Sequence, residues 1–297
     1  MGEWLTIASG ALTARINPLG AELSSLRDAD GRELMTDADP AFWTGRAPLL
    51  FPVVGRPSGD VIRVDARAYP MKQHGFARHM PFAVVATEPH RAVFALTDSD
   101  ETRVRYPFAF RLEVAFTLAE ATLSVDVTVA NPGEAPLPAS FGFHPAFAWP
   151  LPYGRSRDAH RIVLDADEPG MLKAIAADGT IAPAEHPSPL DGRTLRLADD
   201  LFAHDALVWD PIRSQGLTYG ADGGPRLRIN FPDTPMLGIW TKPGAHFVCV
   251  EPWHGIADPE GYAGEFRNKP GVFTVEPGGE KRIGMRVTLV EDTRGEV

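Results

Sequence analysis

The sequence contains a single cysteine, Cys249, among 297 residues. One thiol cannot build an intramolecular disulfide framework, and such cysteine usage is typical of a reducing compartment, so we expect a cytoplasmic location. The chain also lacks any apolar run close to the ~18 residues that a membrane-spanning helix needs. These two absences exclude a disulfide-stapled domain and predict no association with a membrane.

Basic residues are also few, because 29 lysines and arginines stand against 39 acidic residues, for a formal net charge of −10. A nucleic-acid-binding surface needs a basic face, so we predict no nucleic-acid partner. Motifs for dinucleotides, for nucleotide phosphates, for a serine nucleophile and for a zinc protease are missing, and no histidines occur as His-x-His. We therefore expect neither a cofactor nor a metal, and we interpret Cys249, within an apolar run, as a small hydrophobic residue.

Alternation of apolar and polar residues dominates what is present. In residues 110–118 and 123–129 every second residue is apolar, which predicts two strands of an antiparallel hairpin with one face on a core. Residues 282–289 repeat the pattern near the C-terminus. The other predicted strands are 4–8, 12–17, 22–27, 82–87, 92–97, 206–209, 227–231, 237–240 and 247–251.

No amphipathic helix of ten or more residues is recognisable, although residues 38–43 could form one helical turn. The 28 glycines and 28 prolines are spread along the chain and indicate many turns between short elements. We predict an all-β protein, a large antiparallel β-sandwich or barrel, that forms a single domain over residues 1–297. Residues 150–189 are the least regular stretch and are expected to hold long connections.

Four segments carry polar or aromatic residues that strand formation does not require. Arg46 and Arg56 bracket an apolar run and could be its solvated ends, or could hold guanidinium groups at a cavity. His74 lies in a His-Gly-Phe-x-Arg turn and is by itself an ordinary turn histidine. His144 lies among aromatic residues and prolines, where it could be a core histidine or a proton donor near neutral pH.

Glu251 follows an apolar strand and precedes Trp253. A carboxylate in such a place either finds a partner, as a salt-bridged strand-end residue would, or accepts a raised pKa. A raised pKa is what a general base working near neutrality needs, which favours a functional role. Aromatic faces of the kind that surround His144 and Glu251 pack well against the C–H faces of sugars.

Taken together and in this order, these segments resemble the aldose 1-epimerase (galactose mutarotase-like) family, most closely its shorter, LacX-like bacterial branch. The resemblance covers nearly the whole chain. Its segments are 17–23 (NPLGAEL), 50–56 (LFPVVGR), 74–78 (HGFAR), 141–147 (FGFHPAF), 251–253 (EPW), 269–271 (KPG) and 276–280 (EPGGE).

The resemblance implies a β-supersandwich and an enzyme that interconverts the α and β anomers of a free aldose without cofactor or metal. It implies that Glu251 is the catalytic base, His144 the general acid and His74 a second active-site histidine. We expect a small-molecule sugar as substrate and a monomer or homodimer. The predicted substrate-binding residues are Arg56, Asp205, Trp253, Phe143 and Arg78.

The chain departs from the longer mutarotases at two places. Where they have Glu-x-Gln this chain has Glu251-Pro252-Trp253, and Pro57-Ser58-Gly59 follows Arg56 where they carry a second arginine. Three alternatives therefore stay open. They are a hexose-6-phosphate 1-epimerase with a phosphate site at Arg46, Lys72 and Arg78, a non-catalytic sugar-binding protein, and a glycoside hydrolase, for which no second carboxylate is an obvious partner of Glu251.

Overall fold

The computed structural model describes residues 3–291, and almost all of its regular structure is β-strand. Within these residues the one α-helix is Asp100–Arg103, and no helix is long and apolar enough to span a membrane. The described part of the chain also contains five 3₁₀ helices, which are Ser58–Asp60, Ala77–His79, Arg157–Ala159, Asp199–Phe202 and Phe266–Asn268. The predicted turn at residues 38–43 is present, since the amides of Phe42 and Trp43 both donate to the carbonyl of Asp39.

The strands are β1 (Leu5–Ala8), β2 (Leu12–Asn17), β3 (Glu22–Asp28), β4 (Val61–Val64), β5 (Arg67–Pro70), β6 (Ala83–Glu88), β7 (Arg91–Thr97), β8 (Arg111–Ala119), β9 (Thr122–Ala130), β10 (Leu137–Ala139), β11 (Phe141–Gly142), β12 (Ala146–Ala148), β13 (Arg161–Leu164), β14 (Met171–Ile175), β15 (Ile181–Pro187), β16 (Thr194–Arg196), β17 (Leu207–Trp209), β18 (Gly216–Gly220), β19 (Arg226–Asn230), β20 (Met236–Trp240), β21 (Phe247–His254), β22 (Phe273–Val275) and β23 (Glu280–Val290).

Two large antiparallel sheets carry the fold, as the all-β sandwich prediction requires. The nine-stranded sheet has the order β16-β13-β18-β19-β23-β9-β8-β7-β6, and the seven-stranded sheet follows β11-β21-β20-β17-β14-β15 with β12 also paired to β21. A three-stranded sheet, β1-β2-β3, and the pairs β4-β5 and β10-β22 complete the structure. Every strand that the alternation predicts is present, with bounds shifted by a few residues at most.

Alternation decides which side chains enter the core. In the β8–β9 hairpin the side chains of Leu112, Val114, Phe116 and Leu118 are buried, and the residues between them are more exposed. Val114 pairs with Val127 of β9, whose apolar residues are buried in the same way. These residues join the inner faces of the other sheets in one large hydrophobic cluster, as the sandwich arrangement predicts.

The stretch 150–189 is more regular than the sequence indicates. It contains β13, β14 and β15, of which β14 and β15 form an antiparallel hairpin that extends the seven-stranded sheet. The expectation of long connections holds for the segment between β12 and β13, which contains only the 3₁₀ helix Arg157–Ala159, and is wrong for the rest of the stretch. These strands are short, and β15 contains two prolines and exposed residues, so the alternation that reveals longer strands is weak.

Candidate active site

Strand β21 is buried on both faces over Phe247–Trp253. Because side chains alternate along a strand, Val248 and Val250 point into the large core whereas Cys249, Glu251 and Trp253 share the opposite face. That opposite face forms the floor of a cavity of about 350 Å³. The strand therefore delivers Glu251, only 2% exposed, to the inside of a cavity rather than to solvent.

His144 is the cross-strand neighbour of Glu251. The amide of Phe143 donates to Pro252 O at 3.0 Å and the amide of Val250 donates to Pro145 O at 3.1 Å, which places His144 and Glu251 opposite each other between the two bonds. Such a non-hydrogen-bonded pair brings its side chains closest in an antiparallel sheet. Accordingly His144 Nε2 lies 3.2 Å from Glu251 Oε2.

The surroundings of this pair move the two pKa values in opposite directions. Burial, reinforced by the nearby Asp205 carboxylate, raises the pKa of Glu251 well above its ordinary value. Burial lowers the pKa of His144 to about 3, with the positive charge of Arg78 acting in the same direction. Together these shifts place the proton of the pair on the carboxyl group and leave the imidazole neutral.

Aromatic side chains hold the ring of His144. The indole of Trp43 stacks on it with ring centroids 4.9 Å apart, and Trp240 meets it edge-on at 6.1 Å. Trp43 comes from the loop after β3 and Trp240 ends β20, and both line the cavity. Neither tryptophan is predicted as a site residue, because a tryptophan in a loop or at a strand end has no periodicity that points to a site.

His74 reaches the cavity from a loop held in a left-handed turn. Its φ is 65°, and its backbone amide donates to Gly55 O at 2.9 Å while its Nδ1 accepts the amide of Gly55 at 3.1 Å. Because Nδ1 accepts, the proton of the neutral ring is on Nε2, which is then a donor. Burial lowers the pKa of His74 well below its ordinary value, and the nearby His144 adds to this shift.

The next residue explains the turn. Gly75 has a φ of 72°, and a Cβ there would lie 2.1 Å from the carbonyl oxygen of Phe51. Only glycine fits a left-handed position in such close contact with backbone.

The cavity floor depends on two glycines beside Trp253. A Cβ on Gly142 of β11 would lie 2.6 Å from one end of the indole, and a Cβ on Gly238 of β20 would lie 2.5 Å from the other. Gly238 pairs with Glu251 on one side and with Val208 of β17 on the other. The indole therefore lies flat across three strands, beside the carboxyl group of Glu251.

The remaining wall is mostly apolar and comes from the β14–β15 hairpin. Ile175 ends β14, Ile181 begins β15, and Gly179 lies in the turn between them. The complete lining is Trp43, Gly55, Gln73, His74, Arg78, His144, Ile175, Gly179, Ile181, Asp205, Ala206, Val208, Trp240, Glu251, Trp253 and Ala257.

Six of the eight predicted site residues line this cavity: Glu251, His144, His74, Asp205, Trp253 and Arg78. Phe143 does not, and its prediction as a substrate contact is corrected. It neighbours His144 in sequence and so points to the other face, where it is 1% exposed in the core and packs edge-on against Phe141.

Arg56 is also absent from the lining. Its Nε donates to Asp60 Oδ1 at 3.1 Å, and its aliphatic stem packs beneath Gly179 at the cavity rim, 3.3 Å from where a Cβ of that glycine would lie. The guanidinium is therefore paired with Asp60, and sugar binding by Arg56 stays a prediction.

The structure does not bring together Arg46, Lys72 and Arg78, the three residues of the alternative phosphate site. Arg46 donates to the carbonyls of Thr36 and Asp37, and Lys72 is exposed and paired with Asp60 at 3.2 Å. Of the three cations only Arg78 lines the cavity, where its guanidinium donates to Gln73 O at 3.0 Å.

A buried ion pair supports the cavity wall from behind. Lys269 Nζ lies 2.9 Å from Asp258 Oδ1, and the other oxygen of Asp258 accepts the amide of Ser58 at 2.9 Å. The carbonyl of Asp258 accepts the amide of Ile181, and its own amide donates to Arg56 O. Asp258 thus joins the loop after Gly55 to the start of β15, which are two sides of the cavity.

The cavity thus holds a buried carboxyl–imidazole pair among aromatic side chains, and comparison with known proteins identifies the family of the chain. The family model for aldose 1-epimerase matches residues 3–274, and the chain belongs to that family. Among curated proteins it is similar to the LacX proteins of Lactococcus lactis subsp. lactis, at 28% identity over 289 residues, which cover 94% of this chain and 97% of each relative.

Two solved structures are similar over nearly their full lengths. A galactose mutarotase related enzyme from Lactobacillus acidophilus is 30% identical, with a TM-score of 0.90 over 98% of this chain and 99% of that one. A galactose mutarotase-like protein from Lactobacillus casei is 29% identical, with a TM-score of 0.91 over 97% of this chain and 100% of that one.

Proposed function

We propose that this protein is an aldose 1-epimerase, which interconverts the α and β anomers of a free aldose by opening and closing the sugar ring. The observation that carries the proposal is the Glu251–His144 pair, 3.2 Å apart on the floor of a cavity of about 350 Å³. That volume lies near the lower end of the roughly 300–1,000 Å³ that ligand sites span, which suits a monosaccharide.

Ring opening needs one base and one acid. Glu251, as carboxylate, takes the proton from the hydroxyl on C1, and His144, as imidazolium, gives a proton to the ring oxygen. The bond between C1 and the ring oxygen breaks as the C1 carbonyl forms. Rotation about C1–C2 then presents the other carbonyl face, and closure with reversed proton transfers gives the other anomer.

The pair needs one mobile proton, and it ends each ring opening with as many protons as it began. Before opening the proton is on His144; afterwards it is on Glu251, because the sugar has passed one proton on and received another. The raised pKa of Glu251 and the lowered pKa of His144 favour the second of these states. That state is the one that closes an open-chain sugar, with the carboxyl group as acid and the imidazole as base.

The other polar groups have simpler proposed roles. His74 donates from Nε2 to a sugar oxygen, and Arg78 and Asp205 bind further hydroxyl groups at the cavity wall. The indole of Trp253 offers its face to the C–H groups of the ring. None of these residues needs to exchange a proton during the reaction.

The test is anomer exchange measured by NMR magnetisation transfer at equilibrium, over a panel of free aldoses and their 6-phosphates. We expect exchange of at least one free aldose to be accelerated in proportion to protein concentration. Acceleration confined to 6-phosphates would favour the hexose-6-phosphate alternative. Binding of a free aldose with no acceleration would leave only a sugar-binding protein.

A further inference from the structure

The thiol of Cys249 has no part in the mechanism, yet it lies against the reacting groups. It precedes Glu251 by two residues on β21, so both side chains project from the same face. The sulfur atom, a ring nitrogen of His144 and a carboxylate oxygen of Glu251 all lie within 4.8 Å of one another. All three residues are buried.

We propose that Cys249, His144 and Glu251 form a site for a thiophilic divalent cation such as Zn²⁺, and that the occupied site cannot act on sugar. Zinc takes sulfur at about 2.3 Å and nitrogen or oxygen at about 2.0–2.2 Å. Tetrahedral ligands at those lengths are roughly 3.3–3.7 Å apart. Small side-chain rotations that draw the three atoms together by about 1 Å would complete the site.

The charges of the three ligands fit a divalent ion. A thiolate and a carboxylate balance the two positive charges, and the histidine coordinates as the neutral ring, so the complex has no net charge. A neutral complex suits this place, because Cys249 packs among Ala146, Ala245 and Phe247. Binding releases the thiol proton and also the proton that the Glu251–His144 pair holds on the carboxyl group. The sulfur ligand selects Zn²⁺ over Mg²⁺ or Ca²⁺.

The cavity provides the route and the fourth ligand position. His144 and Glu251 line it, so an ion can enter from there and keep a water molecule on the cavity side. The ion would bind a carboxylate oxygen of Glu251 and a ring nitrogen of His144, which are the two side chains that exchange protons with the sugar. Metal binding and sugar turnover therefore exclude each other, and the ion acts as an inhibitor.

Cobalt spectroscopy tests the site without any assay of activity. Cys249 is the single cysteine of the chain, so a thiolate-to-cobalt charge-transfer band can arise only from this residue. We expect Co²⁺ to produce that band with one equivalent bound, and Zn²⁺ to abolish it. The matched variant Cys249→Ser should lack the band. A titration of the wild-type protein that gives no thiolate band would overturn the proposal, even if Co²⁺ binds to histidines elsewhere.

Inhibition experiments test the claim that the metal-bound site cannot act on sugar, and they rest on the proposed epimerase activity. Zn²⁺ should inhibit anomer exchange by the wild-type protein, while Mg²⁺ should not. Cys249→Ala should keep the metal-free rate and should raise the half-inhibitory Zn²⁺ concentration by at least about 10-fold. Equal inhibition of wild type and Cys249→Ala would contradict the inference. Absence of all activity with a clear cobalt band would refute the function and leave the metal site standing.

Discussion

Replacing Glu251 by glutamine is the most informative single change to the site. The amide has nearly the volume of the carboxyl group and fits the same buried position, 3.2 Å from His144 Nε2. It neither takes up nor gives up a proton. The substitution therefore removes the proposed base while it preserves packing, and it also removes the carboxyl proton that must move to His144 before ring opening.

We expect kcat to fall by about 10²–10⁴-fold, the usual contribution of a general acid or base. The lower bound corresponds to about 2.7 kcal/mol of transition-state stabilisation. A value near the upper bound is expected, because the lowered pKa of His144 leaves that ring neutral without a proton from its partner. NMR anomer exchange at pH 7 measures the rate, and Glu134→Gln, in the exposed turn after β9, is the control.

The same variant should change how stability depends on pH. The pKa of Glu251 is raised in the folded protein, so the stability that its neutral form contributes is complete at low pH and is lost as pH rises through the raised value. Glutamine does not ionise. Relative to wild type, Glu251→Gln should therefore gain stability in urea unfolding as pH rises from 4 to 8. Normal catalysis by this variant would contradict the role of Glu251 as base, and a stability difference that is constant with pH would contradict its raised pKa.

Three further substitutions test parts of the cavity. Gly238→Ala places a Cβ against the indole of Trp253, so we expect a raised KM and a loss of about 1–3 kcal/mol in chemical denaturation. Gly75→Ala should destabilise the protein more than Gly154→Ala, which has nearly the same φ but open space around its Cβ position; equal losses would show that the contact with Phe51 is unimportant. Trp43→Ala exposes the ring of His144 and should raise the pKa of that ring, so the acidic limb of the pH profile of kcat/KM should move to higher pH. An unchanged pH profile would argue against burial by Trp43 as the cause of the lowered His144 pKa.

Alternation in the sequence predicts the fold well because the large sheets each have one face on a shared core. β8 and β9 show this directly, with every second residue buried. Alternation fails where strands are short or are exposed over much of their length. The β14–β15 hairpin is an example, and its absence from the prediction also hides Ile175 and Ile181, which form the apolar wall of the cavity.

The site was predictable where a residue is chemically out of place in its strand. Glu251 is such a residue, since a carboxylate among buried apolar residues needs an explanation. The sequence does not reveal that His144 lies opposite Glu251, because the pairing of β11 and β12 with β21 joins residues about a hundred positions apart. Phe143 shows that closeness in sequence to a site residue is misleading in a strand, because adjacent side chains point to opposite faces of the sheet.

A crystal structure of the Glu251→Gln variant with a free aldose tests most directly whether Glu251 and His144 act together on a sugar. We expect the C1 hydroxyl to lie within hydrogen-bonding distance of the side chain at position 251, the ring oxygen to face His144 Nε2, and the sugar ring to pack on Trp253. A well-ordered sugar in the cavity with its C1 hydroxyl and ring oxygen directed away from both residues would contradict this expectation.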